Sequence, residues 1–161
     1  MAPADLLLPL EGQREETLRV VDALSHRDLD RVVRGDGRTV RQMLCHLINR
    51  DHGVNFAIHL ALEGEVVRFS SEEREEMTRW ELDPAPNDWG LPRIRAELVE
   101  SREALHGVFV SMTEEDLDLP IRWPEWPART IRTSIPYMLE HEDSHLDELR
   151  QAVERERRLA G

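Results

Sequence analysis

His141 and His145, in the stretch YMLEHEDSHLDEL, stand four residues apart in a segment that reads as one long helix. That spacing stacks both imidazoles on one helical face, one turn apart, where two ring nitrogens can reach a single metal ion. A third histidine, His46, lies in VRQMLCHLINRDH, a second amphipathic stretch. Three imidazoles from two helices can hold a divalent ion and leave coordination positions open, which is where metal chemistry takes place.

Histidine pairs at this spacing also occur on solvated faces, so their surroundings matter. On a helical wheel His141 and His145 border an apolar arc of Ile135, Met138, Leu139, Leu146, Leu149 and Val153. Glu142 falls inside that arc. His46 borders a matching arc of Val40, Met43, Leu47, Val54 and Ile58, and Asp51 falls inside it. A carboxylate among leucines is costly unless something satisfies it. Asp51 and Glu142 are therefore candidates to accept from imidazole N–H groups, to offset a metal's charge, or to move a proton. The other reading of the same residues is a buried polar cluster of His–Asp and His–Glu hydrogen bonds that holds no metal.

Four long helical stretches must position these groups, and no alternating strand pattern competes with them. The first covers about residues 11–25, with Leu18, Val21 and Leu24 as its stripe. The second begins at Thr39, where Thr39 and Gln42 form a capping box, and stops before Gly64. Residues 71–80 suggest a short helix. The third covers about residues 92–112, with Ile94, Leu98, Leu105, Phe109 and Met112 facing inward. The fourth starts near Thr133 or Ser134 and runs to about residue 157. Four stripes of similar length need one shared core, so the chain reads as all-α, a four-helix bundle in a single domain over residues 1–161.

Composition narrows the function. The net charge is −12, and no stretch of arginines is free of interleaved acids, which argues against nucleic acid. All 21 basic residues are Arg, so Schiff-base and pyridoxal chemistry and lysine-dependent phosphate sites are excluded. The lone cysteine, Cys45, cannot form an internal disulfide and points away from the apolar arc, towards a surface or an interface. No apolar run reaches the ~20 residues of a membrane span, and the first residues do not read as a signal peptide, so a cytoplasmic protein is expected. Trp123 and Trp126, in WPEWP on the connection before the fourth helix, can line the mouth of a substrate site or simply pin the loop to the bundle. Phe56 and Leu60 lie on the non-core side of the second helix, which predicts a homodimer through that face.

The helix TVRQMLCHLINRD followed about 95 residues later by HEDSHLDEL resembles the DinB/YfiT-like superfamily over nearly the whole chain. The resemblance implies a bundle of up-down-down-up order with long crossovers. It implies a divalent metal, zinc or nickel foremost, on His46, His141 and His145. Its members include transferases that use low-molecular-weight thiols such as mycothiol or bacillithiol, and hydrolase-like proteins. The implied function is thus a metal-dependent S-transferase, or a related transferase or hydrolase, that activates a thiol or water for a small-molecule substrate. A protein that binds a metal or a small molecule without turnover, in stress or detoxification, is the alternative.

Overall fold

The computed structural model describes residues 2–33, 35, 37–65, 70–73, 75–76, 89–122 and 129–159. Four long helices dominate them: α1 (Leu8–Asp22), α2 (Val40–Leu62), α3 (Leu91–Ser111) and α4 (Ile131–Leu159). Residues 71–73 and 75–76 are helical, as expected, and residues 77–80 lie outside the described set. Short 3-10 turns occupy Pro3–Leu7, His26–Asp30 and Asp116–Asp118. A two-residue antiparallel pair, β1 (Pro120–Ile121) with β2 (Arg129–Thr130), leads into α4, with Pro120 opposite Thr130.

Local chemistry sets the boundaries. Thr39 caps α2: its Oγ1 accepts from the Gln42 N–H at 3.2 Å, and Gln42 Oε1 accepts from the Thr39 N–H at 2.9 Å. Gly64 ends the helix with φ of 75°, in the left-handed region that costs glycine nothing. Helix α1 begins about one turn before the sequence suggests. Pro9 sits in its first turn, where its missing N–H has no partner to lose, and Leu7 and Leu10 are fully buried.

Helix α1 packs against α3 and α4, and so does α2. Two apolar clusters fix the directions. One joins Leu7 and Leu10 with the C-terminal halves of α2 and α3 and with Ile131, Ile135 and Met138 at the start of α4. The other joins Val21 and Leu24 with the N-terminal halves of α2 and α3 and with Leu149 and Val153 near the end of α4. Helices α1 and α4 therefore run one way and α2 and α3 the other, which is the up-down-down-up order.

Two expectations are corrected here. Cys45 is only 3% exposed and belongs to the second apolar cluster. The start of α2 is enclosed on nearly all sides, so a single apolar arc understates its buried surface: residues 43–48 are all buried. The buried face of α1 is Leu10, Gln13, Arg14, Thr17 and Val21, while Leu18 is only half-buried. That face is largely polar, and apolar periodicity could not find it.

Candidate metal centre

The three histidines meet between α2 and α4. Nε2 of His141 lies 3.2 Å from Nε2 of His46 and 3.2 Å from Nε2 of His145. One ring nitrogen from each lies within 4.8 Å of the others. Ring centroids are 4.4–5.1 Å apart, and His145 stands edge-on to both neighbours. Two nitrogens bound at ~2.0–2.1 Å to a tetrahedral ion would be separated by about 3.3 Å, so the spacing fits a shared ion.

The protonation states fit as well. Burial is the main reason that His46 is pushed down to about 2, and the nearby His145, His141, Arg38 and Arg50 act in the same direction. His141 is pushed down to about 3, again chiefly by burial and then by Arg50 and His145, while Glu142 pulls weakly the other way. Neutral imidazoles keep the lone pairs that a metal needs. His145 Nδ1 lies 3.1 Å from Glu148 Oε2, so Nδ1 carries the proton and Nε2 offers its lone pair inward. Nδ1 of His46 is buried without a hydrogen-bond partner among the described residues.

Asp51 and Glu142 lie behind the histidines, and their hydrogen bonds go to guanidinium and hydroxyl groups. Glu142 Oε1 accepts from Arg14 Nε at 3.0 Å and from Thr17 Oγ1 at 2.8 Å. Its Oε2 accepts from Arg14 Nη2 at 3.2 Å and from Arg102 Nη2 at 2.7 Å. Asp51 accepts from Arg14 at 3.0 Å, from Arg102 at 3.1 and 3.2 Å, and from Ser101 at 3.3 Å. None of these bonds reaches an imidazole, which differs from acceptance by the carboxylates of imidazole N–H groups. The reason is competition, since a guanidinium offers five charged donors to a neutral imidazole's one.

The result is a layer of alternating charge across the bundle, with one residue from each helix: Arg14, Asp51, Arg102 and Glu142. All four are buried, and the layer lies between the two apolar clusters. Burial acts to raise the Glu142 carboxyl, but Arg14 and Arg102 outweigh it and hold the group below its ordinary range. Burial likewise opposes the Arg102 charge, and Asp51 and Glu142 overcome it. Further bonds anchor the layer to other helices: Arg14 Nη1 donates to the Leu98 carbonyl at 2.7 Å and Arg102 Nη1 to the Leu10 carbonyl at 2.6 Å.

Arg14, Arg102 and Glu148 are the neighbours that sequence reasoning missed. The signals were present. Arg14 falls in register with Leu10, Thr17 and Val21, and Arg102 with Leu98, Leu105 and Phe109, while Glu148 follows His145 at i+3. Trp123 and Trp126 lie outside the described residues. His26, His52 and His59 are exposed, and His106 is paired with Glu11 at the surface.

Comparison with known proteins places this geometry. The family model described as the DinB superfamily matches residues 10–149. No curated protein matches the sequence. Among solved structures, YfiT from Bacillus subtilis, described as a probable metal-dependent hydrolase with an unusual four-helix bundle topology, superposes with a TM-score of 0.75 at 18% identity. The match covers 95% of this chain and 86% of that one. The mycothiol-dependent maleylpyruvate isomerase and its H52A mutant superpose with TM-scores of 0.72 and 0.73 at 12% identity. Those matches cover 92% of this chain but 61% of the isomerase chain.

Proposed function

We infer the function from one premise: the chain belongs to the DinB superfamily. We propose that His46, His141 and His145 bind one divalent metal ion, zinc or nickel foremost, and that the protein is a metal-dependent transferase or hydrolase acting on a small molecule. The observation that carries this is the convergence of three largely buried imidazoles on one point, with His46 and His141 held neutral by burial. A divalent ion held there supplies a Lewis acid with open positions at which water or a low-molecular-weight thiol is activated.

The chain's own residues prepare that point. Glu148 fixes the tautomer and orientation of His145. Asp51 and Glu142 stabilise the layer behind the site and are already neutralised by Arg14 and Arg102, so they do not cancel an ion's charge directly. The similar structures include a probable metal-dependent hydrolase and a mycothiol-dependent isomerase, which supports a reaction on activated water or thiol. No described helix is long and apolar enough to cross a membrane. The exposed Phe56 supports pairing of two copies through α2.

The test is elemental analysis of protein purified without a histidine tag, wild type beside His46→Ala, His141→Ala and His145→Ala. Stoichiometric metal in the wild type and its loss in the variants is expected. Stoichiometric metal in all three variants refutes the site. Metal-loaded protein is then assayed with thiols plus electrophiles against His46→Ala. Equal rates would leave binding without turnover as the function.

A further inference from the structure

The seam between α1 and α3 lies across the bundle from the histidines. Helix α1 packs on α3 and α4, and α2 packs on the same two, so the α1–α3 and α2–α4 seams are opposite edges. A groove of about 460 Å³ runs along the α1–α3 seam. One wall is Glu11, Glu15 and Leu18, whose steps of four and three residues keep all three on one face of α1. The other wall is Val99, Glu103 and His106, at the mirrored steps on α3. The buried Arg14 and Arg102 form the floor.

The two helices are antiparallel, and Glu11 Oε1 meets His106 Nδ1 across the groove, which fixes the register. Glu15 therefore stands opposite Glu103, and Leu18 opposite Val99. The groove is closed at one end by a hydrogen-bonded pair, acidic in the middle and apolar at the other end. Glu103 has no ion-pair partner among the described residues. Glu15 has a loose one in Arg19 Nη2, 3.7 Å away, and both side chains are mostly exposed. The floor does not neutralise them, because the guanidinium groups of Arg14 and Arg102 are bonded to Asp51, Glu142 and main-chain carbonyls. Like charges facing each other across a groove repel, and a cation between them relieves the repulsion.

Two observations narrow the occupant. The acids of the groove are too widely spread for a metal ion: among the described residues only the three histidines bring three ligand atoms within 4.8 Å of one another. The volume falls in the ~300–1,000 Å³ range of small-molecule sites, whereas a protein partner needs about 800 Å² of surface. We propose that the groove binds an aliphatic ammonium ion, with its charged head between Glu15 and Glu103 and its hydrocarbon chain along Leu18 and Val99. The layer of Arg14, Asp51, Arg102 and Glu142 separates this site from the histidines, so it stands or falls independently of a metal there.

Hexyltrimethylammonium is the probe, because its nitrogen has no lone pair and cannot ligate an ion at the histidines. Titrated calorimetrically into the protein at low ionic strength, it should bind saturably. Hexanoate, with a similar chain and the opposite charge, should not. Tetramethylammonium should bind at least ~10-fold more weakly, since it lacks the chain that covers Leu18 and Val99. The double variant Glu15→Gln/Glu103→Gln should weaken the hexyl probe by about 3- to 30-fold, the range for two exposed charge pairs. Both side chains are exposed, so the variant keeps the fold. Glu100→Gln/Glu104→Gln removes the same charge from exposed positions of α3 outside the groove and should leave the affinity unchanged. No saturable binding, equal binding of hexanoate, or equal losses in the two double variants overturns the site.

Discussion

Glu142→Gln separates the layer of buried charge from the histidines in front of it. The substitution keeps shape and removes one negative charge, so Arg14, Asp51 and Arg102 are left with a net positive charge in the bundle's interior. It also breaks hydrogen bonding. Each Glu142 oxygen accepts two donors, and an amide turns one oxygen into a donor that faces them. Breaking a buried pair by removing one partner costs about 3–5 kcal/mol, a large part of the ~5–15 kcal/mol that stabilises a typical protein. For a chain of this size the melting temperature should fall by roughly 6–20 °C. Urea unfolding and calorimetry on metal-free protein measure this directly. The decisive comparison is a double-mutant cycle with Arg102→Met, which removes a positive charge from the same layer. The double variant should be more stable than the sum of the single losses predicts, by about 1–3 kcal/mol, because neutrality is restored. Losses that add within ~0.5 kcal/mol, or a single-variant cost below ~1 kcal/mol, would refute the account of a coupled layer.

Other outcomes follow from the same geometry. His46 and His141 have folded pKa values of about 2 and about 3, below the ordinary 6.5, so the unfolded chain binds more protons between those limits. Metal-free protein should therefore lose stability as pH falls below about 6.5, by ~1.4 kcal/mol per pH unit for each histidine, and a flat profile from pH 6.5 to 4.5 would contradict the burial of neutral imidazoles. Burial raises the Cys45 thiol to about 11, so iodoacetamide at pH 8 should label it only after denaturant is added, and rapid native labelling would place it at a surface. Phe56 is 54% exposed, and light scattering at tens of micromolar should give a dimer that Phe56→Glu dissociates; a mass near 18.8 kDa for the wild type would remove the proposed face.

The parts of the molecule that were readable in the sequence are those fixed by local rules. Thr39 and Gln42 announce the start of α2, Gly64 its end, and the spacing of His141 and His145 places two ring nitrogens together without reference to any other helix. What the local rules miss depends on which helix lies opposite. Asp51 and Glu142 were legible as buried acids, but their partners could not be named from α2 and α4 alone. Arg14 and Arg102 each stand in the register of their helix's inward face, but nothing in α1 or α3 alone marks them as partners of those acids. Charge balance could have exposed them, because two buried carboxylates require two buried cations, and the inward registers of α1 and α3 each contain one arginine. The same balance bears on chemistry. Were Asp51 and Glu142 bonded to the imidazoles, they would neutralise an ion bound in front of them and weaken its pull on a bound water or thiol. With their charges met by Arg14 and Arg102, an ion at the histidines would keep nearly its full positive charge against a neutral wall, with Glu148 as the described carboxylate bonded to a ligand ring.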